Sequence, residues 1–143
     1  MDITAIAEPG QQARFAKTVS ESDVYLFAGL SGDLHPQHVD EEYAKTTRYG
    51  RRLAHGALLV AFMSAAFTRY WQTWLEGRAA PPAISYGYDR IRFIRPVFMG
   101  DTVTVDYRIV EIDAATAKAF ADVTCTNQRG EVVAAARHII KFV

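Results

Sequence analysis

The sequence predicts an α+β fold in which a single antiparallel sheet curls around one long central helix. Three observations carry this. Residues 57–67 are almost wholly apolar, too evenly so for a surface helix and too short for the ~20 residues of a bilayer span, so this helix belongs in a protein core. In the second half Val103, Val105, Tyr107 and Ile109 alternate with Thr104, Asp106 and Arg108, the period of a strand with one buried face. With 143 residues, 50% of them apolar, the chain can bury one core without staples, and residues 1–143 are read as one domain.

Taken in order, residues 14–19 form a short first strand. Ser22 reads as an N-cap, Asp23 adds negative charge to the first turn, and Val24, Tyr25, Leu26, Phe27 and Leu30 follow in a short helix ending near Gly32. Asp40 caps a second short helix through Glu41, Glu42, Tyr43 and Ala44, which leaves Pro36 and His38 in the loop between the two. Lys45, Arg48, Arg51 and Arg52 give the next loop a basic edge. Its simplest reading is solvated surface, and its functional reading is a phosphate contact.

The pair His55-Gly56 opens the long helix over residues 57–75. Leu58, Leu59, Phe62, Met63 and Phe67 require the sheet to enclose it, and Arg69, Gln72 and Glu76 mark its emergence. A break at residues 77–82 separates it from strands at 84–96, 103–109, 119–126 and 132–143, with a turn at 127–130.

Lys plus Arg and Asp plus Glu number 16 each, which removes any global electrostatic draw toward nucleic acid or an anionic membrane. The lone cysteine, Cys125, cannot form an internal disulfide and no Cys-x-x-Cys pair exists. The chain therefore reads as cytoplasmic, with neither metal nor cofactor expected. The first fifteen residues lack the charged start and apolar centre of a secretory signal.

Candidate chemistry is concentrated in residues 31–44, where Gly32 and Pro36 interrupt regular structure and Asp33, His35, His38 and Asp40 crowd together. Read blandly, this is a helix-to-helix turn with capping aspartates and solvated histidines. Its order says more: Gly-Asp-x-x-Pro-x-His resembles the Gly-Asp-x-Asn-Pro-x-His motif of the MaoC-like, (R)-specific enoyl-CoA hydratase family, which has the hot dog fold. This sequence departs from the motif at His35, where the family carries Asn, and at Gln37, commonly apolar. A second stretch, residues 92–103 with Arg95-Pro96-Val97 and Gly100-Asp101, resembles the family as well, so the likeness extends from about Ser22 to the end.

The resemblance implies a hydro-lyase that adds water across a trans-2-enoyl thioester to give the (R)-3-hydroxyacyl product, or the reverse. It assigns Asp33 and His38 to the water and the backbone N–H of Gly56 to the thioester oxygen. Ser31, His35 and His55 support the substrate site. An acyl-CoA or acyl carrier protein thioester is the implied partner, and a homodimer the implied assembly.

The residue types suit that chemistry. Water needs a base, and the thioester oxygen needs a donor where charge develops; a helix N-terminus supplies unpaired N–H groups, and glycine admits close approach. Two alternatives remain: a thioesterase of the same fold, and a non-catalytic acyl-thioester-binding subunit. Elsewhere His138 reads as a satisfied sheet histidine and Cys125 as core, and Ser64 lacks a nucleophile signature. Trp71 and Trp74 read as packing residues, although Tyr70 and Trp74, one turn apart, could line an interface.

Overall fold

The computed structural model describes residues 3–143. Met1 and Asp2, which the one-domain expectation includes, lie outside the described residues. A short 3-10 turn at Ile3–Ala5 precedes strand β1 (Gln12–Thr18). Helices α1 (Glu21–Ser31), α2 (Pro36–Val39) and α3 (Glu41–Lys45) lead to the long helix α4 (Gly56–Trp74). Strands β2 (Ala83–Phe93), β3 (Thr102–Asp113), β4 (Lys118–Thr126) and β5 (Val132–Phe142) complete the chain.

The strands form one sheet in the order β1-β3-β4-β5-β2, every neighbouring pair antiparallel. Alternation places Val103, Val105, Tyr107 and Ile109 of β3 and Ala119, Ala121, Val123 and Cys125 of β4 on the buried face. Helix α4 lies against that face through Leu58, Leu59, Phe62, Met63, Ala66 and Tyr70, each large side chain contributing about 1.5–3 kcal/mol by its burial. Phe62 meets Phe15 of β1 at a ring separation of 6.0 Å, and Tyr70 meets Tyr107 at 5.6 Å.

The enclosure of α4 is one-sided, contrary to expectation. Ala57, Ala61, Ser64 and Thr68 of its far face are exposed, because the sheet covers the stripe of large residues and leaves the small ones open. Tyr70 is fully buried and so lines no interface, donating to Gln11 Oε1 at 2.9 Å, while the half-buried Trp74 donates its Nε1–H to the Gln12 carbonyl at 2.8 Å. Both fasten the end of α4 to the start of β1.

Cys125 is buried, as expected. So is His138, whose Nδ1 lies 2.6 Å from the Tyr107 hydroxyl and whose Nε2 lies 2.8 Å from Ser85 Oγ. Among the described residues no helix is long and apolar enough to cross a membrane.

Candidate active site

The site is assembled from the C-terminal end of α1, helix α2 and the N-terminal end of α4. Helix α1 begins two residues earlier than Ser22 predicts. Ser20 is the cap, since Asp23 stands three residues on and completes a reciprocal box: Asp23 N–H donates to Ser20 Oγ at 3.1 Å and Ser20 N–H to Asp23 Oδ2 at 2.8 Å. At the other end Gly32 closes the helix at φ 79°, a left-handed conformation that glycine takes without steric cost. Ser31 Oγ donates to the Phe27 carbonyl at 2.7 Å and accepts Asp33 N–H at 3.1 Å. Its hydroxyl shapes the turn that delivers Asp33.

His38 is not in a loop but in α2, a single turn started by Pro36 at its first position. His35 caps that turn with its side chain, Nδ1 accepting Gln37 N–H at 3.2 Å, while its own N–H donates to Asp33 Oδ1 at 3.3 Å. His38 Nδ1–H donates to the Leu53 carbonyl at 2.6 Å. A carbonyl can only accept, so the neutral ring carries its bare lone pair on Nε2. Burial, with the neighbouring His55 acting in the same direction, holds the His38 pKa below its ordinary value despite the Leu53 bond and Asp33.

His55 is buried against the back of this arrangement. Its Nε2–H donates to the Asp33 carbonyl at 2.9 Å, and its ring stacks on His38 with centroids 3.9 Å apart, while Phe27 packs at 4.9 Å. Nδ1 of His55 is buried without a hydrogen-bond partner. One ligand-type atom from each of Asp33, His38 and His55 lies within 4.8 Å of the others. Metal binding would require both imidazole lone pairs to converge, in their ring planes, on one ion. Stacked rings tilted by only 28° aim poorly for that. A single water bridging the Asp33 carboxylate and His38 fits the spacing better.

Beside His38 opens a cleft of about 290 Å³, walled by Gln37, Leu53, Gly56, Phe93, Arg95 and Val97 among others. Gly56 is the first residue of α4, with His55 as the N-cap, and its N–H belongs to the helix end that lacks intrahelical acceptors. The Ala54 N–H donates to the Val97 carbonyl at 2.8 Å and Leu53 bridges Phe98, which ties the Arg-Pro-Val stretch to the helix entrance. Asp33 is exposed and does not wall the cleft.

Much of the predicted basic edge is internally neutralised. Lys45 pairs with Glu42 at 2.7 Å, and Arg52 binds Glu41 at 2.9 Å, Glu21, and the Tyr25 hydroxyl at 2.7 Å. Arg51 lies over the Phe98 ring at 3.8 Å, whereas Arg48 lies on the cleft beside Tyr49. Phe93 was not visible as a site residue in the sequence, because a strand-end phenylalanine carries no signal of its own.

Residues 4–130 match the family described as the MaoC like domain. An (R)-specific enoyl-CoA hydratase of Rhodospirillum rubrum is 48% identical over 95 residues, which cover 66% of this chain and 60% of that protein. One from Aeromonas caviae is 35% identical over 106 residues, covering 73% of this chain and 72% of that protein. The solved structure of R-hydratase PhaJ1 from Pseudomonas aeruginosa superposes with a TM-score of 0.81 at 33% identity, covering 99% of this chain and 86% of that one. The sheet and helix are those of the hot dog fold.

Proposed function

Because the chain belongs to the MaoC like domain family, we propose that it is a hydro-lyase that reversibly hydrates trans-2-enoyl-CoA to (R)-3-hydroxyacyl-CoA. The observation that carries this reading is the approach of Asp33 and His38 to within 4.8 Å, with His38 and the first residue of α4 walling one cleft.

Water held between the Asp33 carboxylate and the bare His38 Nε2 donates one hydrogen bond to each, which leaves an oxygen lone pair for Cβ of the enoyl group. As the O–Cβ bond forms, the π electrons move to the thioester oxygen, where the Gly56 N–H donates to the developing enolate. The water proton passes to the dyad and returns to Cα as the enolate collapses. Addition and protonation from one face give a syn product. Ser31, His35 and His55 support the site by shaping the turn, capping α2 and backing His38.

Of the basic loop's side chains, Arg48 is the one that walls the cleft and can meet a coenzyme A phosphate, since Lys45 and Arg52 are held by carboxylates. We further propose that residues 1–143 act as one MaoC-like unit, in the cytoplasm, as a homodimer. Strand β2 has an open edge and exposes Ile84 and Tyr86, and the small-residue face of α4 is uncovered, surfaces that a second copy would bury. A monomer at micromolar concentration in sedimentation would contradict the dimer.

The test is loss of enoyl-thioester absorbance with crotonyl-CoA, with chiral analysis of the product. Wild type forms (R)-3-hydroxybutyryl-CoA, and Asp33→Asn or His38→Ala lowers turnover by about 2–4 decades with little change in KM. Folded variants working at the wild-type rate would overturn the dyad. Thiol release without hydration would mean a thioesterase.

A further inference from the structure

Strand β2 carries an irregularity with consequences at the cleft. Tyr88 is registered with His138 and Asp89 with Arg137, but the next registered pair is Arg92 with Ala135, three steps along β2 against two along β5. One residue is extra, and within the bulge Arg90 takes φ 54°, a left-handed conformation that costs a non-glycine residue energy.

The extra residue reverses the strand's facing. Tyr88 points inward, its ring stacked on buried His138 at 4.4 Å. In an uninterrupted strand residues 90 and 92 would share that face and residue 93 would point away. The bulge instead brings Ile91 onto the core and Phe93 onto the start of α4. A Cβ placed on Gly56 would lie 2.6 Å from one carbon of the Phe93 ring and 2.8 Å from two more, so the ring covers the glycine directly. Yet Phe93 is 53% exposed and walls the same cleft as His38. Core packing does not account for an aromatic ring that is turned inward by a strained bulge and left half open.

We propose that Phe93 is a positioning residue for the acyl thioester, its ring forming the wall that holds the thioester group against the Gly56 N–H. This rests on the hydro-lyase reading. A conjugated enoyl thioester is planar, and a flat apolar wall beside the helix N-terminus restricts how that plane can tilt relative to Asp33 and His38. The same contact explains the glycine at 56, because a side chain there would displace the ring.

Two measurements test the proposal. With crotonyl-CoA, Phe93→Ala raises KM about tenfold and lowers kcat/KM about 100-fold, while Phe93→Tyr stays within about threefold of wild type. Weakened folding alone would lower kcat at constant KM. A folded Phe93→Ala with wild-type kcat/KM overturns the proposal. If wild type hydrates no enoyl thioester, the hydro-lyase reading fails and binding of butyryl-CoA decides: weaker binding by Phe93→Ala sustains the wall, and equal or absent binding removes it. Independently, Gly56→Ala lowers the melting temperature in the wild-type background but not in Phe93→Ala; equal losses in both would refute the contact.

Discussion

The imidazole rings of His38 and His55 lie 3.9 Å apart and within 28° of parallel, and His55 also donates to the carbonyl of Asp33. One buried side chain thus holds both members of the proposed dyad, one by stacking and the other by a hydrogen bond.

The two holds separate by substitution. His55→Phe keeps a ring behind His38 but loses the bond to Asp33, and His55→Ala loses both and opens a cavity. Turnover falls about tenfold in the first and about 100-fold in the second, since displacements near 1 Å carry penalties of that size. Steady-state hydration of crotonyl-CoA by folded variants checks the order; equal rates would detach His55 from the dyad.

Part of this site was legible in the sequence and part was not. Asp33, His38 and Gly56 stood out because their motif and the apolar helix are local patterns, and Asp40 was read correctly as a cap. Ser22 reads as the cap in the sequence, but serine caps carry no local mark that fixes the position, and the reciprocal bonds with Asp23 place the cap at Ser20. The stacking of His55 on His38 joins residues 17 apart, a meeting made by tertiary approach. Strict alternation through residues 84–96 would turn Phe93 away from the helix, and the bulge that turns it inward has no glycine or proline at Arg90 to announce it.

His138 makes stability depend on pH. Burial pushes its pKa down to about 4 from an ordinary 6.5, with Tyr88 stacked on one side and Phe67 edge-on at 5.0 Å. The unfolded chain then binds the proton more tightly than the native protein. Stability is intact above pH 6.5 and falls as the pH drops from 6.5 toward 4, by about 3 kcal/mol at about 1.4 kcal/mol per unit. His38, also depressed, adds a loss of the same sign. His138→Gln keeps an amide for Ser85 and Tyr107 but does not titrate. Urea unfolding at several pH values would show a flatter acid limb for this variant, and parallel limbs would exclude His138 as the cause.

Arg52 ties α1 to α3 through Glu21, Glu41 and Tyr25, with its own side chain only 13% exposed but its carboxylate partners open to solvent. Solvent screening limits such pairs to about 1 kcal/mol. Arg52→Ala therefore lowers the melting temperature by about 3–5 °C in dilute buffer, and by less at high salt. A loss that does not change with salt would assign the effect to packing of the arginine stem.

His35 sets the geometry of the loop. Its Nδ1 accepts the Gln37 N–H that caps α2, and α2 carries His38, while its own N–H donates to Asp33 Oδ1. An asparagine at 35 can accept the cap bond through Oδ1, whereas an alanine cannot, at a cost of about 1 kcal/mol to the cap. His35→Asn therefore hydrates crotonyl-CoA within about threefold of wild type, and His35→Ala about tenfold more slowly, because the turn that aims His38 loosens. Equal steady-state rates for wild type and a folded His35→Ala would show that the cap is dispensable to the dyad.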